Sequence, residues 1–244
     1  MEYVYKISNL QKDYNKRTVL NINKLNIQKG QITSLIGPSG AGKSTLLHLL
    51  NNIELPTKGT IQLEGYKYPE NGKIDIEIRR QMSMVFQKPI VFDKNVYDNI
   101  AYGLMIRKIS KTIIKEQVEE IAEKIRLRDM LKNSARTLSG GEMQRVALAR
   151  AIILKPSVLF MDEATTNLDP SNVLIIEDLV RYVNSSYKTS VIIATHNMHQ
   201  AKRLSNQTVF LLNGELVEAG ETKQILDNPQ NTITKSFIDG DMVC

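Results

Sequence analysis

Gly37-Pro38-Ser39-Gly40-Ala41-Gly42-Lys43-Ser44-Thr45 is the stretch on which the fold turns. It follows the apolar run Ile32 to Ile36 and leads into the apolar stretch Thr45 to Leu50, so it reads as a Gly-rich turn between a buried strand and a helix. The pattern is G-x-x-x-x-G-K-[ST] in its required context. Glycines let the backbone curl until several N–H groups face one anion, and the helix that follows adds its positive end. Lys43 can reach the β- and γ-phosphates, and the Ser44 hydroxyl can bind Mg²⁺. Residues 37–45 are therefore expected to hold a nucleotide. Small-molecule kinases, GTPases and ATP-driven machines all share such a loop, so the loop names neither the nucleotide nor the work it drives.

Outward from this loop, short β-branched runs alternate with longer helical patterns. Ser157 to Met161 is a second strand, ended by Asp162 and Glu163; Ser190 to Thr195 is a third, ended by His196; Thr208 to Leu212 is a fourth, closed by Asn213 and Gly214. Strands separated by helices predict a largely parallel sheet covered on both faces. From about Asn95 to Leu154 the pattern is nearly all helical, and the run Lys115, Glu116, Glu119, Glu120, Glu123, Lys124 is expected to be a solvated helix face. The acidic pair gives the nucleotide site a second half. Adjacent strand residues face opposite ways, so Asp162 can serve the Mg²⁺ shell while Glu163 orients or deprotonates an attacking water.

Composition excludes other classes. The 244 residues carry 32 Lys and Arg against 26 Asp and Glu, a formal charge of +6, with 42% hydrophobic residues. That apolar content, arranged in defined runs, is incompatible with a disordered chain. The single thiol, Cys244, closes no internal disulfide, and one Cys with three His builds no Cys-rich zinc site, so the chain is expected to be intracellular. Nothing approaches eighteen consecutive apolar residues, and the N-terminus lacks the layout of a signal peptide. The +6 balance fits nucleic acid, an acidic membrane surface or simple Lys usage.

Leu138-Ser139-Gly140-Gly141-Glu142, followed by Met143, Gln144 and Arg145, decides among the users of the loop. Ser139 is a good N-cap, and Glu142 three residues later completes a capping box. A cap does not need two glycines, which lower helix propensity; they make sense if a phosphate approaches the backbone at a helix N-terminus. With these residues the sequence resembles the ABC ATPase family, whose signature is L-S-G-G-x-x-x-R. The resemblance runs from Tyr14 to at least Gly220.

The resemblance implies a P-loop NTPase (RecA-like) α/β core with an N-terminal antiparallel β subdomain and an inserted α-helical subdomain. One domain would span 1–244, residues 1–87 and 156–244 forming the core with its β subdomain and residues 88–155 the helical subdomain with the signature loop. ATP would be held by Tyr14, stacking on adenine, by Gly37 to Thr45, and in trans by Ser139, Gly140, Gly141 and Asp169. Mg²⁺ would be held by Ser44, Gln87 and Asp162. Glu163, His196, Gln87 and Lys43 would carry hydrolysis, His196 as the switch at the γ-phosphate and Gln87 as the Q-loop sensor. Asp169 before Pro170 also reads as an N-cap with Pro at the first helical position. His48 and His199 read as structural. One departure stands out, since the family usually follows its catalytic Glu with Pro and this chain has Ala164; no functional group is lost.

Further implications are a head-to-tail homodimer with ATP at the interface, separate membrane permease subunits docking near Phe92 to Tyr102, an indirect solute-binding protein, and a peripheral place on the cytoplasmic face of the cell membrane. Nucleic acid is not expected as a partner; one cassette per chain, with no long heptad arms and no zinc hook, disfavours the DNA-repair relatives. Within the importers, Val85-Phe86-Gln87-Lys88-Pro89, Val96 to Gly103, Ala201 to Leu204 and the tail Phe237 to Met242 resemble the tungstate-type oxyanion ATPases, with phosphate and molybdate subunits as near relatives. The expected activity is ATP hydrolysis that powers oxyanion import, tungstate first, with phosphate, molybdate or another small solute as the alternative cargo and a non-transport ABC ATPase acting on nucleic acid as the alternative of a different class.

Overall fold

The computed structural model describes residues 2–241; Cys244, the lone thiol, and Met242, the end of the quoted tail, lie outside them. The chain opens with two long strands, β1 (Tyr3–Tyr14) and β2 (Arg17–Gln28), paired antiparallel. Asn15 and Lys16 between them both have positive φ, the two-residue turn whose twist suits a hairpin. Then come β3 (Ile32–Ile36), α1 (Lys43–Leu50), β4 (Lys58–Leu63), β5 (Tyr66–Lys67), a one-turn α2 (Ile76–Arg79) and β6 (Met82–Val85). Three helices follow, α3 (Val96–Ile106), α4 (Lys111–Lys124) and α5 (Gly140–Ile152), with short 3₁₀ turns at Arg128–Met130 and Ala135–Thr137. The remainder is β7 (Val158–Asp162), α6 (Pro170–Tyr187), β8 (Ser190–Ala194), α7 (Met198–Leu204), β9 (Gln207–Leu212), β10 (Glu215–Glu221), α8 (Thr222–Asp227) and α9 (Thr232–Ile238).

The strands run in the order β5-β4-β1-β2-β10-β9-β3-β8-β7-β6. From β9 to β6 every neighbour is parallel, and β3 and β8 are buried at all five positions, as strands covered on both faces must be. The expectation of a largely parallel sheet holds only for this part. β1, β2, β4 and β5 form an antiparallel sheet, and β10 runs antiparallel to β9. The two parts meet at one bridge, Glu215 against Asn21, beside the Asn21 N–H bond to the Gly214 carbonyl at 2.7 Å. β1 escapes a period-two reading because its register shifts after Tyr3 and after Lys12, while Asn9 takes a positive φ; Val4 and Tyr5 are consequently both buried.

α1 lies in the angle between the two parts. Leu46, Leu47, Leu49 and Leu50 are all fully buried against Tyr5, Ile7, Ile22 and Phe160, each contributing about 1.5–3 kcal/mol. α3, α5 and α6 cover the other face through Ile100, Val146, Ile152 and Leu179. In α4, Ile114, Val118, Ile121 and Ala122 are buried, and the charged residues form exposed i,i+4 pairs, so the charge run is a solvated face. Among the described residues no helix is long and apolar enough to cross a membrane. The strand order makes the C-terminal ends of β3, β7 and β8 neighbours, and the turns that follow them carry Gly37, Glu163 and His196.

Candidate nucleotide-hydrolysis site

The loop after β3 requires glycine for two different reasons. At Gly37, φ is +144° and a Cβ would lie 2.1 Å from the Leu211 carbonyl oxygen, so the strand neighbour excludes any side chain. Gly40, at φ +79°, has open space around it, and only the backbone conformation demands glycine there. Gly42 then opens α1 in the left-handed region, and no side chain caps that helix, leaving its first N–H groups for an anion. Lys43 curls back, and its Nζ donates to the Gly37 and Pro38 carbonyls, both at 2.8 Å. Burial lowers its ammonium below the ordinary value, while Glu163 and Asp162 act against that shift. Ser39 is exposed on the rim and Ala41 is buried beneath it.

Ser44 donates its hydroxyl to Asp162 Oδ1 at 2.8 Å, which brings the two expected Mg²⁺ residues together. Burial raises the Asp162 carboxyl, and the Ser44 bond only partly offsets it. Glu163 departs from the strand reading. Asp162 is the last residue of β7, and Glu163 turns out at φ +46° with its N–H still bonded to the Ala194 carbonyl. A left-handed residue, not strand alternation, separates the two carboxylates. Glu163 Oε2 lies 3.5 Å from His196 Nδ1, so the ends of β7 and β8 bring the expected base and switch together. Ala164 is buried in the core behind them. Gln87 stands exposed in the turn after β6, where the preceding Phe86 carbonyl accepts from buried Gln144 of α5 at 3.0 Å.

Tyr14 ends β1, 41% exposed as a residue, with its hydroxyl donated to Glu54. Burial first, and then the Glu54 carboxylate, push the phenol up to about 12. Glu54 also pairs with Lys12 at 3.2 Å and faces His48 Nδ1 at 3.2 Å. His48 is thus a half-buried ring tied to this cluster, whereas His199 is exposed on α7.

Ser139 and Glu142 form the capping box in full. The Ser139 hydroxyl oxygen accepts the Glu142 N–H at 3.3 Å, and the Ser139 N–H donates to Glu142 Oε2 at 2.8 Å. The two glycines behind Ser139 have separate causes. Gly140 faces open space, but a Cβ on Gly141 would lie 2.5 Å from the Asn172 side chain, so packing against α6 already demands that glycine. Asp169 caps α6, accepting from the Ser171 and Asn172 N–H groups and from both their side chains; these bonds, the Ser171 hydroxyl's first, hold its carboxyl far below the usual range. Lys43, Ser44, Asp162, Glu163 and His196 therefore form one group. Ser139 and Asp169 bond only to their own helix starts, and neither they nor Tyr14 contact that group among the described residues.

Several structural partners escaped the sequence reading. Gln144, Gln200, Glu177, Arg203 and Asn172 are polar residues at ordinary helical positions; the first three take their meaning from burial, and Arg203 and Asn172 from what they touch, Glu177 and Asp169. Glu177 alone carried a signal, standing amid Leu174, Ile175, Ile176, Leu179 and Val180.

A parallel sheet in which one strand feeds a Gly-Lys-Ser loop, and a strand two places away ends in Asp162 with Glu163 in the turn beyond it, defines a P-loop nucleotide triphosphatase. Comparison with known proteins narrows this. The sequence profile described as "ABC transporter" matches residues 20–166. The phosphate import ATP-binding protein PstB 2 of Bacillus licheniformis is 39% identical over 98% of this chain and 90% of its own. PstB of Mycoplasmoides gallisepticum is 42% identical over 92% of this chain and 71% of its own. The solved structure of cbiO1 from Clostridium perfringens, described as part of the ABC transporter complex cbiONQ, superposes with a TM-score of 0.84 at 26% identity, covering 97% of this chain and 95% of that one. The chain belongs to the ABC transporter family as an ATP-binding subunit, an ATPase.

Proposed function

We propose that the chain hydrolyses ATP to power import of phosphate through separate membrane permease subunits, with a solute-binding protein delivering the anion. The observation that carries the ATPase mechanism is the convergence of Lys43, Ser44, Asp162, Glu163 and His196 on the ends of three adjacent strands. Support for phosphate comes from the two PstB relatives, which displaces the tungstate expectation to the alternative; the stretches Val85–Pro89 and Val96–Gly103 still resemble the tungstate type.

ATP would lie with its phosphates on residues 37–45 and its adenine on the exposed Tyr14 ring. Mg²⁺ fits Ser44 and Asp162: two hard oxygen ligands stand 2.8 Å apart, and Asp162 is a partly buried carboxylate whose ionised form a cation would stabilise. Among the described residues no group of three or more His, Cys, Asp and Glu is placed for a metal, in keeping with an ion that takes most ligands from phosphates and water. Gln87 would add a ligand, and the bound ion would neutralise phosphate charge. Glu163 takes the proton of the attacking water, Lys43 balances charge at the γ-phosphate, and His196 orients Glu163 and contacts that phosphate.

Ser139, Gly140, Gly141 and Asp169 would act on the ATP of a second copy in a head-to-tail dimer, which accounts for their lying apart from the group within one chain. The permease would dock beside Phe92 to Tyr102, where Ile90 and Ile106 are each more than half exposed, holding the subunit at the cytoplasmic face of the cell membrane. The domain division at 87/88 and 155/156 fits a helical lever between β6 and β7 that carries both docking surface and signature loop. Glu163→Gln is expected to bind ATP, dimerise and hydrolyse at least about 100-fold more slowly; rapid turnover would remove the base assignment. Uptake assays in cells carrying Lys43→Ala test the cargo: phosphate uptake should be lost, whereas selective loss of tungstate uptake would restore the other oxyanion.

A further inference from the structure

We infer that Gln200 is a positioning residue that sets the Glu163–Asp169 turn against the His196 loop. The inference rests on the roles proposed above for Glu163 and His196.

Gln200 sits in the first turn of α7, is 3% exposed, and belongs to no motif read from the sequence. Its side-chain amide is enclosed by three elements. Thr195, the residue before His196, donates its hydroxyl to Gln200 Oε1 at 3.0 Å. Thr165, two residues after Glu163, places its hydroxyl oxygen 2.9 Å from Nε2 and 3.1 Å from Oε1. Nε2 also faces Glu177 Oε1 of α6 at 3.5 Å. The backbone joins in, since Gln200 N–H donates to Asn197 Oδ1 at 3.0 Å and Asn197 N–H donates to the Thr195 hydroxyl oxygen at 3.1 Å. One amide thus spans the end of β8, the turn after β7 and α6.

Glu177 explains why an amide is needed. It is fully buried, and its carboxylate is held by Arg203 Nη2 at 2.7 Å, Arg203 Nε at 3.2 Å and Arg181 Nη2 at 3.4 Å. A carboxylate only accepts, so the Gln200 side facing it must donate while the side facing Thr195 accepts. Glutamine meets both demands in one orientation. Glutamate would set two buried carboxylates against each other, and an apolar residue would leave the two threonine hydroxyls without their shared partner. Glu163 and His196 are 3.5 Å apart, and each lies within two residues of a threonine on this amide, so a shift at Gln200 reaches both.

The test uses the full-length chain. Gln200→Met, which keeps length and apolar bulk, and Gln200→Glu are each expected to lower kcat for ATP about tenfold or more, with KM and the Kd for ATP unchanged because the loop of residues 37–45 is untouched. Adding Glu177→Gln to Gln200→Glu returns one amide and one carboxylate to the site and is expected to restore most of the lost kcat. A kcat within twofold of wild type in Gln200→Met, a Kd that weakens in step with kcat, or no rescue by the double variant overturns the proposal. Glu163→Gln is measured alongside. Wild-type turnover in that variant would remove the base assignment alone, and the Gln200→Met rate would still report whether the amide positions the turn.

Discussion

The Glu142 carboxylate holds both donors of Ser139: its Oε2 accepts the Ser139 N–H at 2.8 Å and the Ser139 hydroxyl at 2.7 Å. In the proposed dimer these donors serve the γ-phosphate of the opposite ATP, so a carboxylate occupies the position that a phosphate must take. Two like charges cannot share it. Glu142→Gln keeps a capping-box residue and removes the charge. The variant should fold with nearly wild-type stability, and in a Glu163→Gln background it should dimerise at several-fold lower ATP, read by size-exclusion chromatography. An unchanged ATP requirement would mean that Glu142 swings clear without effect.

The same contact has a pH signature. Ser139, through its hydroxyl first and its N–H second, holds the Glu142 carboxyl below its ordinary value. A carboxyl depressed in the folded state contributes stability that is present above its unfolded value and lost as pH falls through the folded one. The bonds to the Glu142 carboxylate are therefore intact at neutral pH and fade below about pH 4, whereas the Glu142 N–H bond to the Ser139 hydroxyl oxygen does not titrate. Thermal melts of wild type and Ser139→Ala should differ at pH 7, by about 1 kcal/mol or more for a lost cap, and the difference should narrow in acid to what the Glu142 N–H bond alone contributes. A difference of the same size at pH 7 and in acid would show that the carboxylate bond adds nothing to the cap.

Asp162 runs in the opposite direction. Burial raises its carboxyl, so the folded protein holds that proton more tightly than the unfolded chain does. Stability is highest below the ordinary Asp value and declines as pH rises through the window up to the raised one. Asp162→Asn keeps an oxygen for Ser44 and discards the buried charge. At pH 7 the protein without nucleotide should melt higher, each 1 kcal/mol gained appearing as about 2–4 °C, and the gain should vanish in acid while ATP hydrolysis is lost. A variant that melts lower at pH 7 would show that the Ser44–Asp162 bond outweighs the burial.

How far these features could be read beforehand depended on whether one local segment encodes them. Residues 37–45, Asp162-Glu163 and Leu138 to Arg145 are contiguous, and each joins a backbone demand to a side-chain type; β3, β7, β8 and β9 were legible within one residue as short apolar runs. β1 was not, because two register shifts and a left-handed Asn9 break its alternation. The left-handed turn at Glu163 was missed, since positive φ at a glutamate has no local sequence mark. The Gln200 amide was invisible because Thr165, Glu177, Thr195, Gln200 and Arg203 come from four separate segments, and each is unremarked until the fold makes it a partner of the others.

Gly140 and Gly141 allow stability and function to be separated within one motif. Both looked like room for a phosphate, yet a Cβ on Gly141 would meet Asn172 Cγ and Nδ2 at 2.5 Å, and that Nδ2 is bonded to the Asp169 cap. Asn172 cannot retreat without disturbing the start of α6. Gly141→Ala should therefore destabilise the fold by about 1–3 kcal/mol, the usual range for forcing a methyl into a packed contact. Gly140 has nothing within 4 Å of a built Cβ and opens α5, so Gly140→Ala should leave stability unchanged or raise it by up to about 1 kcal/mol. Its methyl would stand in open space at the residue next to Ser139, where the opposite ATP is proposed to approach. ATP-dependent dimerisation and turnover should then fall in Gly140→Ala while its melting temperature holds. Denaturant titration paired with an ATPase assay separates the two variants, and full activity in Gly140→Ala would place the phosphate elsewhere.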